Sequence, residues 1–346
     1  MTIRRIKKSE WEKLQAFNAA EYKPDHILTN KIYYDWQFDA PWNTDKETYE
    51  TLGLFDSKEN LIGTFGLFSA PHNHHGNSMM GAQLCNLIVR KELRALGYGY
   101  LLLEKAAAAH PLTIDHTIND SAWPMFEKAG WQKDNLERWV YIIKADNDLY
   151  SLSVSSVKQI MKSGWHFDQV SEFGPEMDEF WGRAKDRYPI TIERTAEYLN
   201  WRFAKNPLVK YSMFAAKDNG KVRGLVIVRS ESVKNEKGPL GVKALRIIDF
   251  VADEEAESFA LSQTAKYARE NKFDFVDYFS SGDFHDKGLE QAGFENGDKG
   301  IFARLPILFN PVSFKRTHLN FAVKTSDKAQ LAEWYTAKGG GDQDRA

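Results

Sequence analysis

With a single cysteine, Cys85, this chain can close no intrachain disulfide. That thiol sits in an apolar run with no cation beside it, which marks a buried structural residue rather than a nucleophile. No apolar stretch reaches the roughly 18 residues that a membrane helix needs. The N-terminal MTIRRIKKSEWEKL lacks the apolar core of a secretory signal, so the cytoplasm is the expected compartment and no membrane partner is expected. Excess positive charge is missing too. The chain carries 46 Lys and Arg against 48 Asp and Glu, a net charge of −2, which argues against nucleic-acid binding driven by phosphate neutralisation. Metal-ligand spacing is also absent. His72, His74 and His75 share a polar turn with no cysteine or carboxylate, and neighbours on a turn converge poorly on one ion. They read as a solvated hairpin tip, or as a loop over an acceptor site, and no metal is expected.

What is present is material for two cores. A length of 346 residues exceeds the roughly 100–200 of a usual domain. The 10 Trp and 14 Tyr make polar-rimmed aromatic clefts plausible. Residues 2–6 read as a strand, and Ser9 with Glu12 as a capping box opening a helix. A second helix, 30–39, carries Tyr33, Tyr34, Trp36 and Phe38. Runs 49–55 and 61–69 form a hairpin, and 78–89 is the next strand. Helix 100–109, strand 112–119, helix 122–129 and strand 139–144 follow. Gly130 stands where a helix-ending glycine belongs.

The order of elements then recurs. Tyr198-Leu-Asn-Trp201-Arg-Phe203 echoes Tyr33-Tyr-Asp-Trp36-Gln-Phe38, Gly224 echoes Gly63, and Leu289-Glu-Gln-Ala-Gly293-Phe294 echoes Phe126-Glu-Lys-Ala-Gly130-Trp131, at offsets of 161 to 165 residues. Three matches in near-constant register imply a tandem duplication.

One stretch separates the copies. Residues 87–106 run from apolar Leu87-Ile88-Val89 through Arg94-x-x-Gly97-x-Gly99 into an alanine- and leucine-rich helix. A strand feeding a glycine turn at a helix N-terminus is an anion site, because the first amides of a helix lack intrahelical partners and the dipole favours negative charge. The second copy has Ala252-Asp253-Glu254-Glu255-Ala256-Glu257 at this place, whose acids would repel a pyrophosphate.

On these features the chain resembles the GNAT superfamily of acyl-CoA-dependent N-acyltransferases. The resemblance rests on Val89 followed by Arg94-x-x-Gly97-x-Gly99, the apolar helix, and Phe126-Glu-Lys-Ala-Gly130-Trp131. It implies an α/β (α+β) architecture of two tandem GNAT-like domains, each a mixed, mostly antiparallel sheet flanked by helices. The domains would cover residues 1–146 and 160–312, the second degenerate, with 313–346 a C-terminal extension. In that extension Trp334-Tyr335 could anchor across a groove, and the terminal glycines and acids read as disordered. The resemblance further implies acetyl-CoA (or another acyl-CoA) as co-substrate. Arg94, Ala95, Leu96, Gly97, Tyr98, Gly99 and Tyr100 would cradle its pyrophosphate. Leu87, Ile88 and Val89 would pair with pantetheine, and Asn119 would contact cofactor or reacting groups. Phe126 occupies the place where many members have a tyrosine that protonates the leaving thiolate.

Acyl transfer to an amine also needs a donor for the tetrahedral oxygen and a base for the ammonium. Base candidates are Asp115, His116 and Glu21, with His116 preferred because its ordinary pKa suits neutral pH. Tyr34 and Trp36 either pack the core or line the acceptor pocket. The expected acceptor is a small polar amine, and similarity to tandem acyltransferases of bacterial surface polysaccharides suggests an amino sugar. A non-catalytic binding protein is the alternative of a different class, favoured by Phe126. Fem-type aminoacyl or peptidyl transfer is a third reading, one that predicts a basic channel. Self-association is left open.

Overall fold

The computed structural model describes residues 1–300, 303, 305–315, 318–327 and 329–341. Its N-terminal half runs β1 (Thr2–Lys7), α1 (Trp11–Glu21), α2 (Lys31–Phe38), β2 (Thr48–Phe55), β3 (Leu61–His74), β4 (Asn77–Val89), α3 (Tyr98–Ala107), β5 (Leu112–His116), α4 (Trp123–Lys128) and β6 (Gln132–Ile142). Strands β1 to β4 form an antiparallel meander. Side-chain alternation divides β4 between two cores. Ala82 and Leu84 pack under α3 and α4 with Leu102, Leu103 and Phe126, whereas Cys85 packs under α1 and α2 with Leu14, Phe17, Tyr34 and Phe38.

The parallel pairing of β4 with β5 is short, from Ala82↔Thr113 to Leu84↔Asp115. Beyond it the two strands part. Asn86, at φ 60°, bulges β4 against β3, where the register slips between Thr64↔Ile88 and Gly66↔Cys85. A bulge re-aims the strand that carries it, and here it opens the sheet.

The C-terminal half runs β7 (Trp165–Val170), α5 (Pro175–Ala184), β8 (Ile190–Ile192), α6 (Ala196–Leu199), β9 (Ser212–Asp218), β10 (Lys221–Asn235), β11 (Gly238–Ala252), α7 (Glu254–Glu270), β12 (Phe275–Ser280), α8 (Asp286–Ala292) and β13 (Glu295–Asn296). A small hairpin, β14 (Leu308–Phe309) and β15 (Val312–Ser313), leads to β16 (Leu319–Thr325). The positions matched in the sequence occupy comparable places in the two halves. Gly63 faces Val89 in the β3–β4 ladder, as Gly224 faces Ala252 in the β10–β11 ladder. A left-handed glycine ends α4 (Gly130, φ 78°) and α8 (Gly293, φ 89°). Trp36 and its counterpart Trp201 stack with ring centroids 5.7 Å apart. Each indole N–H donates to the other's backbone carbonyl, at 2.9 and 3.2 Å.

The two halves share one sheet, ordered β1-β2-β3-β4-β5-β16-β6-β12-β11-β10-β9-β7. Strand β6 serves both. Gln132–Leu136 pairs with β16, and Glu137–Ile142 pairs with β12. C-terminal β16 fills the slot between β5 and β6, just as β6 fills the slot between β12 and β13. The segment 313–346 is therefore more than an extension, since part of it completes the first half. Trp334, Tyr335, Ala337 and Lys338 are buried between the halves, as are Gly339, Gly340 and Gly341. The acids expected to be disordered, at 342–346, lie outside the described residues.

Two local readings change. The first cap is Glu10, whose carboxylate accepts the Lys7 N–H, and Ser9 lies inside a short 3-10 turn (Lys8–Glu10). Strand β6 begins seven residues before the expected 139, because the polar run Gln132–Asn135 has one face toward solvent and so lacks an apolar signature. Among the described residues no helix is long and apolar enough to cross a membrane.

A buried charge cluster stands where the halves join. Asp277 on β12 is fully buried and accepts from Arg138 of β6 at 2.9 Å and from Arg246 of β11 at 2.8 Å. Burial opposes ionisation of Asp277, but the two guanidinium groups outweigh it and hold the carboxyl at about 2. Removing one member leaves buried charge uncompensated, a loss of about 3–5 kcal/mol. We expect Asp277→Ala to lower the denaturant midpoint strongly. A midpoint within experimental error of wild type would show that the cluster does not hold β6, β11 and β12 together.

Candidate active site

The site is built where β4 outruns β5. Past Leu84 the β5 side of β4 has no strand partner, so the backbone of Leu87, Ile88 and Val89 is exposed along an edge. A 3-10 turn, Lys91–Leu96, then leads to Gly97. Gly97 sits at φ 78°, a conformation that L residues adopt only with strain, and nothing lies within 4 Å of where its Cβ would be. Helix α3 starts at the next residue, which leaves its first amides pointing outward. Arg94 braces the turn. Its Nε donates to the Val89 carbonyl at 2.9 Å, and its guanidinium pairs with Glu21 at 3.4 Å.

A cleft of about 610 Å³ lies along this edge. Nine of the residues expected at the cofactor line it: Leu87, Ile88, Val89, Arg94, Ala95, Gly97, Gly99, Tyr100 and Asn119. Ser121, Ala122, Met125 and Lys128 complete the wall, with the Lys128 ammonium 5.2 Å from the Tyr100 ring centroid. Of the others, Leu96 is exposed and Tyr98 packs against the α3 core, so neither lines the cleft. An apolar strand edge, outward amides at a helix start and two cations suit a long amide-containing arm ending in phosphates.

The cleft continues into an inner cavity of about 240 Å³ at the strand opening. Its walls include Tyr22, Asn86, Leu87, Asp115, His116, Asn119 and Phe126. Phe126 thus reaches the cavity from α4 but offers no hydroxyl. Tyr22 is a wall residue that local sequence does not signal, because it lies on the turn after α1, far along the chain from the glycine motif. Its ring is fixed by stacking on His26 at 4.2 Å. A third cleft of about 620 Å³ opens beyond the β5–α4 loop. Ile118 and Asn119 belong to both this cleft and the inner cavity.

Several expected roles do not survive the packing. His116 is 4% exposed, and its Nε2 meets the Thr336 hydroxyl at 2.9 Å. Burial first, then Arg202, pushes its pKa down to about 3, too weak for a base at neutral pH. Glu21 is committed to Arg94. The Asn119 side-chain oxygen accepts from Ala122 N–H at 2.8 Å and Ser121 Oγ at 2.7 Å, so it shapes the loop and leaves only its amide NH₂ for a ligand. Tyr34 lies in the α1–α2 core, its hydroxyl 2.7 Å from Thr51 Oγ1. Trp36 is the inter-half stack already described. Neither lines a cavity of the opening; both are hidden by contacts from distant sequence. The histidine turn is no free tip either. His72 is buried, and β3 pairs across to β8 through His72↔Ile192 and His74↔Ile190. His74 pairs with Asp327 at 2.8 Å.

The architecture matches solved structures. No family model matches the chain, and no curated protein matches it. A GCN5-related N-acetyltransferase from Anabaena variabilis superposes with a TM-score of 0.60 at 12% identity, covering 93% of this chain and 72% of that one. One from Kribbella flavida gives 0.56 at 11% identity, over 94% and 71%. Saccharomyces cerevisiae N-myristoyltransferase, solved with myristoyl-CoA and inhibitors, gives 0.56 at 12% identity, over 98% and 86%. The chain therefore has the fold of the GCN5-related N-acetyltransferases and N-myristoyltransferases.

The buried histidines carry a pH consequence. Burial lowers His72 to about 4 and His116 to about 3, below the ordinary 6.5 that each regains on unfolding. Their contribution is complete above pH 6.5 and is lost as pH falls toward those values, by up to about 1.4 kcal/mol per pH unit for each ring. We expect stability to decline below pH 6.5, and His116→Gln to decline less steeply. Equal slopes in urea melts of the two proteins would contradict the assignment of His116 as buried and neutral.

Proposed function

We propose that the protein is an acyl-CoA-dependent N-acyltransferase whose co-substrate lies in the 610 Å³ cleft of the N-terminal half. One observation carries this reading: the unpaired β4 edge, the Gly97 turn and the α3 N-terminus share that single cleft with Arg94 and Lys128. The fold is the one in which the yeast N-myristoyltransferase was solved with myristoyl-CoA. Here the inner cavity of about 240 Å³ favours a short acyl group, acetyl foremost. The residues fit the cofactor: outward amides and cations for its phosphates, a strand edge for its amides, and a cavity for its thioester. When bound, the cofactor supplies an activated acyl group. The protein positions it and exposes the strand edge beside the bulge at Asn86, with Leu87 and Phe126 as apolar walls of the opening. The acceptor is a small polar amine, an amino sugar being the leading class.

The second half differs at the corresponding place. Its cleft of about 710 Å³ sets the acids Asp253, Glu254, Glu255 and Glu257 against Lys162, Arg183, Arg223 and Lys287. Arg223 pairs with Asp253 at 3.1 Å, and Lys287 with Glu254 at 3.0 Å. The acids leave no net positive field for a pyrophosphate, so the cofactor belongs to the first half alone.

Phe126 favours a second reading, in which the cleft binds an acyl-CoA without turnover. Two measurements separate them. Acetyl-CoA should raise the melting temperature, since a ligand specific for the folded state contributes about 2.7 kcal/mol at 100 times its dissociation constant. Gly97→Glu, which puts a strained, negative residue at the turn, should abolish that rise; a preserved rise would show the turn misassigned. Release of free thiol with a panel of amines, nucleotide-linked amino sugars included, identifies the enzyme. Cofactor binding without thiol release for any amine supports the binding protein instead.

A further inference from the structure

The third cleft, about 620 Å³ beyond the β5–α4 loop, has a chemistry of its own. Lys133 of β6, Lys315 and His318 bring positive or titratable groups to it, and Asn119, Asn135 and Asn320 bring amides. Among the described residues, neither lysine has a carboxylate partner. The Lys133 ammonium instead lies 4.3 Å from the Trp123 ring centroid, which holds it in place beside α4. Among the described residues Asp120 is the one carboxylate lining the cleft, and it is exposed.

The amides are oriented as well. Asn320 Nδ2 donates to the Ile118 carbonyl at 2.9 Å, while its Oδ1 is buried without a hydrogen-bond partner. Asn320 thus fixes the Ile118 end of the wall, and the exposed Asn135 on the paired position of β6 is the amide open to a ligand.

We propose that this cleft binds the acidic part of the acceptor, so that the acceptor is a hydroxylated amine carrying phosphate or carboxylate. The proposal rests on the acyltransferase reading and narrows its substrate class. Lys133 and Lys315 meet the anion, and Asn135 meets a hydroxyl group. The shared Ile118–Asn119 wall leads the amine into the inner cavity, beside Leu87 and Phe126. An anion held by exposed lysines is weakened by salt, so affinity falls as ionic strength rises.

The test uses the full chain, without acyl-CoA, and thermal shift as readout. Glucosamine 6-phosphate is the probe and glucosamine its counterpart without the phosphate. The phosphorylated probe should shift the wild type at concentrations where glucosamine does not. Lys133→Ala with Lys315→Ala should weaken that response at least about tenfold, while the acetyl-CoA shift persists. Lys315→Ala alone, on an exposed loop, should give a partial loss and guards against an effect of Lys133 on folding. Equal responses to both probes, no response to the phosphorylated one, or an unchanged response in the double variant would overturn the proposal. Loss of the acetyl-CoA shift in the double variant would overturn it too, by assigning the cleft to the cofactor's own phosphates. A wild type that answered sugar phosphate but not acetyl-CoA would keep the anion cleft and sink the acyltransferase reading.

Discussion

Strand β6 is the constraint on which the rest depends. Its first five residues pair with β16 and its last six with β12. A strand has only two edges, so sharing it forces both halves into one continuous sheet. Neither half then closes its own sheet. The first borrows β16 from the far end of the chain, and the second borrows β6. Cross-sheet hydrogen bonds and the buried Arg138–Asp277–Arg246 cluster tie the exchange together. The reciprocal Trp36–Trp201 hydrogen bonds mark the same relation on the helical side.

This exchange places the candidate site. Insertion of β16 beside β5 holds β5 away from β6, while β4 leaves β5 after three paired residues. The opening therefore lies inside one half, walled by β4, the β5–α4 loop and Phe126. The buried C-terminal segment passes on the other face, where Thr336 meets His116. It explains why a histidine on a strand end, well placed in sequence, is unsuited to act as a base.

The glycine turn was legible from the chain because its signal is local. Gly97 must adopt positive φ, the helix after it is apolar, and the apolar strand before it ends at Val89. Nine of the residues expected at the cofactor line one cleft for that reason. The matched glycines and tryptophans were legible too, since they keep near-constant spacing, and Gly63 and Gly224 take comparable places in their ladders. Tyr22, Lys133 and Asn320 carried no such signal. Each reaches a cavity only through tertiary contacts, and a tyrosine after a helix or a polar residue on a strand looks like ordinary surface. Trp36 and Tyr34 failed in the opposite sense. Their aromatic helix face was evident, but whether it met ligand or protein depended on the second half.

By itself, the sequence determined the elements around the glycine turn, the left-handed Gly97 at the start of α3, and the acidic run 253–257 at the start of α7. These follow from φ preferences, apolar periodicity and charge, all of which act within a few residues. Only the tertiary structure decided which strand fills each slot, how β6 is shared, and which polar side chains face a cavity rather than a core. Those outcomes depend on contacts between residues as much as 220 positions apart, as for His116 and Thr336, and no local preference records them.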